Sequence, residues 1–159
     1  MNMSSITEEL LVGTSPTRRD FETLRELGVR LVINMRWTPG PRPRAGDPHM
    51  RYIWLHTFDN PLLPIPLHSL MRGVREALEE IRAGGKVYAH CAQGRHRSVA
   101  MAAAILIAQG ADPREAMRLI KERRPEADPG VFYIRRRIEL FADRWPELQQ
   151  PRLTGGAPN

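Results

Sequence analysis

The sequence predicts an α/β fold with a short central sheet flanked by helices. Three observations carry this. Short apolar runs of strand length alternate with longer stretches whose apolar residues recur at helical spacing, the order that layered α/β folds require. Glycine or proline punctuates most junctions. One helical stretch is apolar on nearly every side, which places it inside the protein. At 159 residues the chain is expected to form one domain with a real core over residues 1–145, followed by a disordered tail over 146–159.

From the N-terminus, Leu10 to Gly13 reads as a short strand, and Ser15-Pro16 opens a helix as N-cap and first-turn proline. Phe21, Leu24 and Leu27 repeat at helical spacing until Gly28 stops them. Val29 to Met35 is a buried strand. Trp37 to Met50 holds too many prolines and glycines for regular structure and must be a loop. Arg51 to His56 forms the next strand, carrying Tyr52, Trp54 and His56, and leads into a segment stiffened by Pro61, Pro64 and Pro66.

Leu67 to Ala83 is an amphipathic helix with Leu70, Val74, Leu78 and Ile81 on one face, ended by Gly84-Gly85. The strand Lys86 to His90 follows, then the apolar helix from Ser98 to Gln109. Asp112-Pro113-Arg114-Glu115 is a capping box that starts a helix to about Arg123, which Arg124-Pro125 ends. The last helix, about Gly130 to Trp145, turns Phe132, Ile134, Ile138 and Phe141 inward, with Arg135, Arg136 and Arg137 partly outward as a solvated face.

Between strand and apolar helix lies His90-Cys91-Ala92-Gln93-Gly94-Arg95-His96-Arg97-Ser98, which holds the only cysteine. A turn that feeds a helix points successive backbone N–H groups inward, and the helix N-terminus adds positive charge, so an oxyanion fits there. The same field stabilises a thiolate and lowers the Cys91 pKa below the ~8.5 of a free thiol. Gly94 lets the loop curl tightly around a phosphate. Arg97 can offer a planar fork to two phosphoryl oxygens, and Ser98 is placed to hydrogen-bond the sulfur when it leaves a phosphoenzyme.

The pattern His-Cys-x-x-Gly-x-x-Arg-Ser resembles the phosphate loop of the cysteine-dependent protein tyrosine phosphatases, and all five fixed positions match. The resemblance to their dual-specificity branch extends over most of the chain. The opening ITEELLVGTSPTRRDFETLRELGVRLVINMR is similar to that family's first strand, helix and strand, and RRPEADPGVFYIRRRIELF to its closing turn and helix. It implies a three-layer tyrosine-phosphatase-like fold and hydrolysis of a phosphomonoester through a cysteinyl phosphate, with no cofactor and no metal. The implied site is Cys91, Arg97 and Ser98 in a phosphate-binding loop of Cys91, Ala92, Gln93, Gly94, Arg95, His96 and Arg97. His90 is expected to orient the loop by hydrogen bonding, with no second metal ligand at a recognisable spacing.

Such an enzyme needs a general acid, and in the dual-specificity phosphatases it occupies the loop that follows a strand and precedes the helix before the nucleophile strand. Asp59 in Thr57-Phe58-Asp59-Asn60-Pro61 holds that place, and Asp47 in the proline-rich loop is the fallback. The central cysteine with its acid upstream separates the chain from low-molecular-weight tyrosine phosphatases, which carry the two in the opposite order. The separate phosphotyrosine-recognition loop of the large classical enzymes is not evident.

The formal charge of +6, nearly all arginine with only Lys86 and Lys121 as lysines, suits acidic partners. Phosphorylated protein is the expected substrate. Arg95 and His96 add positive charge within the loop, which together with PIPLHSLMRGV is similar to the mitochondrial phosphatidylglycerophosphate phosphatase and, more loosely, to phosphoinositide phosphatases. Anionic phospholipid is therefore the alternative substrate, and a non-catalytic phosphate-binding module is a further reading. Removal of an RNA 5′-triphosphate, an activity of other relatives, suits the charge alone, and no stable nucleic-acid partner is expected. A lone cysteine cannot form an intramolecular disulfide, and no run of about eighteen apolar residues spans a membrane, so a cytoplasmic protein with a reduced thiol is expected.

Overall fold

The computed structural model describes residues 1–149. The elements are β1 (Met3–Ser5), β2 (Leu10–Gly13), α1 (Asp20–Glu26), β3 (Val29–Asn34), β4 (Arg51–Trp54), α2 (Leu67–Arg82), β5 (Lys86–His90), α3 (Arg97–Ala108), α4 (Pro113–Arg123) and α5 (Phe132–Leu148). They form one sheet of order β1-β2-β5-β3-β4, parallel throughout except for the antiparallel β1 on the edge of β2. The fold is α/β, as the alternating pattern predicts.

Side chains alternate across the strands and build two apolar layers. Leu10, Val12, Leu31, Ile33, Ile53, Val87 and Ala89 face α2 to α5. Leu11, Val29, Val32 and Tyr88 face the other way, toward Phe21 and Leu24 of α1. Helices thus cover both faces, unequally. The all-apolar helix is α3, buried from Arg97 to Ile107 and packed against α2, α4, α5 and the sheet.

This order places β5 between β2 and β3, with α1 connecting those two strands. Ligands of open parallel sheets bind beyond the carboxyl ends of the strands where the connections diverge, and the segment after His90 lies at such a place.

Several elements differ from the sequence expectation. β1 is a short, polar edge strand without an apolar run to reveal it; it pairs Met3 with Gly13. The first helix begins at Asp20 rather than at Ser15-Pro16. Asp20 Oδ2 accepts from the Thr17 amide at 2.7 Å and its hydroxyl at 2.9 Å, which forms the turn into the helix, while Ser15 Oγ accepts from Arg36 Nη1 at 3.0 Å. The fourth strand stops at Trp54 because His56 takes a left-handed conformation (φ 47°) and stacks its ring on Trp54 at 3.4 Å.

The largest differences are in the last helix. Phe132 is 63% exposed on the first turn of α5 instead of facing the core. The helix runs through Pro146 to Leu148, so the tail expected from residue 146 is helical up to that point. Trp145, stacked on Phe141 with ring centroids 5.3 Å apart, and Leu148 pack the last turn against the core and offset the hydrogen bond that Pro146 cannot make. The disorder expected for residues 150–159 lies outside the described residues.

Candidate active site

Cys91 to His96 form a tight loop between β5 and α3. Cys91 is buried, and its sulfur accepts from the Gly94 amide at 3.2 Å and lies 3.3 Å from Ser98 Oγ. Burial alone would push the thiol pKa up. The Ser98 hydroxyl and amide, the Arg97 charge and the Arg95 amide outweigh it and lower the pKa below the usual thiol value. The sulfur is therefore suited to exist as a thiolate, the form that attacks phosphorus.

Arg97 opens α3 and is buried. One end of its guanidinium is fixed, Nη1 donating to the carbonyl oxygens of Thr57 at 2.8 Å and Met35 at 3.2 Å. Nε is buried without a hydrogen-bond partner among the described residues. A buried charged donor without an acceptor is costly, and an oxyanion in the loop would supply one. Thr57 is held in turn by its own hydroxyl, which donates to the Met35 oxygen at 2.5 Å.

The back of the loop is braced by Arg124, fully buried after α4. Its Nε donates to the Gly94 oxygen at 2.7 Å, Nη2 to the Gln93 oxygen at 3.2 Å, and Nη1 to Asn2 Oδ1 at 2.8 Å and Ser4 Oγ at 3.1 Å. These bonds turn the carbonyl groups outward and leave the N–H groups to face the sulfur. Gly94 has φ 66°, and a Cβ there would stand 2.7 Å from both the Gly13 backbone and Arg124. Glycine is required by that packing behind the loop as much as by the curl in front of it. Arg95 is turned to the same turn, its Nε donating to the Glu126 oxygen at 3.2 Å while its own carbonyl accepts from the Asp128 amide at 2.9 Å. Ala92 and Gln93 are exposed at the loop's tip.

Asp59 is brought to this loop by a contact the sequence does not reveal. Its Oδ2 lies 2.9 Å and its Oδ1 3.2 Å from His96 Nδ1, and Oδ1 accepts from the Tyr133 hydroxyl of α5 at 2.7 Å. Burial, and next the adjoining Asp59 carboxylate, push the Tyr133 pKa up to about 12. The phenol stays a donor throughout the neutral range. Asp47 is elsewhere, paired with Arg25 of α1 and accepting from the His49 amide at 2.9 Å.

His90 departs from expectation. Its ring is buried against Tyr88, and neither nitrogen has a hydrogen-bond partner among the described residues. Its contribution is through the backbone, where its oxygen accepts from the Met35 amide at 2.8 Å. Burial lowers the ring pKa to about 4, against a weaker upward pull from the Cys91 backbone that falls short of hydrogen-bond geometry. The histidine is neutral.

Sequence reasoning missed Arg124, Tyr133 and Thr57 as parts of this site. The only local signal was an arginine at the end of a helix, beside Pro125, and a tyrosine one position from the core-facing Ile134. Among the described residues no group of three or more His, Cys, Asp or Glu could hold a metal ion, and no helix is long and apolar enough to cross a membrane.

No protein-family model matches the chain. Solved structures share its fold: human DUSP28 superposes with a TM-score of 0.79 at 24% identity, covering 91% of this chain and 95% of that one. PTPMT1 in complex with PI(5)P gives a TM-score of 0.76 at 26% identity, over 92% and 96% of the two chains. In sequence the chain is 31% identical over 148 residues to human dual specificity phosphatase 28, a match that covers 91% of this chain and 74% of the relative. With that relationship spanning nearly the whole fold and a lone thiolate-forming cysteine seated in its loop, the chain belongs to the dual-specificity phosphatases, a family of cysteine-dependent hydrolases.

Proposed function

We propose that this phosphatase acts on phosphorylated protein side chains, with Cys91 as nucleophile, Arg97 as phosphate clamp, Asp59 as general acid and then base, and Ser98 as support for the sulfur. The observation that carries the reading is the Cys91 sulfur, ringed by the Gly94 amide and the Ser98 hydroxyl beside a half-committed Arg97 guanidinium.

The phosphoryl group lies in the loop with its oxygens on the amides and on the free edge of Arg97. The thiolate attacks phosphorus in line, the S–P bond forms and the P–O bond breaks as Asp59 gives its proton to the departing oxygen. Water then attacks the cysteinyl phosphate while the Asp59 carboxylate takes its proton. The S–P bond breaks, and Ser98 donates to the returning thiolate. Residues 1–145, together with the last turn of α5, constitute the catalytic domain in this reading. A cytoplasmic setting, where a lone thiol stays reduced, fits the chemistry.

Anionic phospholipid is the second reading, favoured by one surface feature. Leu62 is 87% exposed and Leu63 and Phe132 are exposed close to the Asp59 segment. They adjoin a cavity of about 380 Å³ whose lining includes Pro61, Pro64, Tyr133, Arg136 and Arg137. Apolar side chains rimmed by arginines suit a headgroup at a membrane surface. PTPMT1, solved with PI(5)P bound, shares the fold.

Turnover of a phosphotyrosine peptide, a phosphothreonine peptide and phosphatidylglycerophosphate, measured side by side for wild type and Cys91→Ser, tests both. Peptide turnover abolished by the substitution, with phosphate still bound, supports the proposal. Turnover of the lipid alone would move the assignment to phospholipid, and none in wild type would leave a binding module.

A further inference from the structure

Asp59 sits on a proline-stiffened surface segment, while the sulfur it must serve is buried at the foot of α3. A carboxyl on such a segment has no intrinsic reason to hold one position. Here two side chains hold it, one from the nucleophile's own loop and one from α5.

We propose that His96 and Tyr133 are positioning residues that fix the Asp59 carboxyl over the phosphate loop for proton transfer. The inference rests on the reading of Asp59 as the general acid. Tyr133 donates to Oδ1 at 2.7 Å, which leaves Oδ2 to carry the transferable proton. His96 Nδ1 stands 2.9 Å from Oδ2 and 3.3 Å from the Tyr133 hydroxyl, closing a three-membered cluster. The ring of Tyr133 meets that of His96 edge-on, with centroids 5.9 Å apart.

With Nδ1 carrying its hydrogen throughout, His96 can donate to a lone pair of Oδ2 whether or not that oxygen is protonated, which leaves the Oδ2 proton free for the leaving group. The proton itself moves only between Asp59 and the substrate. It passes from Oδ2 to the leaving oxygen as the P–O bond breaks, and is replaced from water as the second O–P bond forms. Because His96 is adjacent to Arg97 in the loop, acid and phosphate clamp are registered to each other by one short piece of backbone. Arg95, the loop's other extra cation, is drawn away to Glu126, so the two neighbours have separate roles.

The test compares phenyl phosphate, whose poor leaving group needs protonation, with an aryl phosphate activated by electron-withdrawing groups, which does not. Tyr133→Phe and His96→Leu are expected to lower kcat/KM for phenyl phosphate by about tenfold and for the activated ester by less than about twofold. Competitive inhibition by inorganic phosphate should be unchanged in Tyr133→Phe, whose side chain lies outside the loop, which reports an intact loop. His96→Asn, which keeps a polar atom near the Nδ1 position, should restore most of the loss. In an Asp59→Asn background neither substitution should cost anything further.

Equal losses on both esters, or undiminished losses in the Asp59→Asn background, would overturn the proposal and leave the two residues as structural. If Asp59→Asn itself affected both esters alike, the acid assignment would fall along with this inference, while the Cys91 chemistry, tested separately by Cys91→Ser, would stand.

Discussion

Arg124 Nε donates to the Gly94 carbonyl oxygen across 2.7 Å, so a residue beyond the fourth helix sets the curvature of the loop that holds Cys91. The guanidinium is fully buried and its hydrogen bonds go to two loop carbonyls and two N-terminal side chains. Replacing it by Met is expected to strand those acceptors and to destabilise the protein by about 2–4 kcal/mol. Urea unfolding measures the loss. Phosphate affinity of the protein that remains folded should fall as well, and Arg124→Lys should rescue only part of it because lysine lacks the planar fork.

Gly94→Ala combines a left-handed backbone with a Cβ 2.7 Å from backbone that cannot yield. About 2–4 kcal/mol of destabilisation is expected. A melting temperature close to wild type would show that the loop relaxes more easily than this geometry allows.

The buried His90 makes stability depend on pH. Its native pKa is about 4 against 6.5 for the unfolded side chain, so between those values the unfolded chain binds the extra proton. The contribution is fully present above pH 6.5 and is lost progressively as pH falls toward 4, amounting to about 3 kcal/mol. Chemical denaturation from pH 7 to pH 4.5 should show the decline. His90→Asn should flatten that part of the slope whatever it does to stability at pH 7.

The lowered Cys91 pKa predicts that alkylation by iodoacetamide titrates with a midpoint below that of an ordinary thiol. Ser98→Ala removes the hydroxyl 3.3 Å from the sulfur and should move that midpoint upward. A midpoint unchanged by the substitution would show that the amides and Arg97 hold the thiolate without it.

How much of this was legible in the sequence follows the range of the interactions. The loop from Cys91 to Ser98 was readable because its function is written in local spacing between a strand and a helix. β2 to β5 and α2 to α4 were readable from period and punctuation, with ends shifted by two residues at most, the largest shift being the early stop of β4 at Trp54, while the polar β1 left no signal. Asp59 could be nominated from its place after β4, yet its partners could not. His96 reaches it across 37 positions and Tyr133 across 74, and only tertiary packing brings them together.

Two misreadings have the same origin. On the first turn of α5 Phe132 lies off the buried stripe of Ile134, Ile138, Phe141 and Trp145 and is exposed, while the hydroxyl of its neighbour Tyr133 is directed to Asp59. For His90, position beside Cys91 suggested a hydrogen-bonding side chain, but β5 is the middle strand and buries the ring beside Tyr88, where neither nitrogen has a hydrogen-bond partner among the described residues.

The solitary sulfur has one more consequence, for oxidative damage. An ionised thiol reacts with peroxide to give a sulfenic acid, and many such sites are protected by a second cysteine that captures it as a disulfide. This chain contains no other cysteine. Once oxidised, position 91 depends on an external reductant such as glutathione to return to work before further oxidation makes the loss permanent.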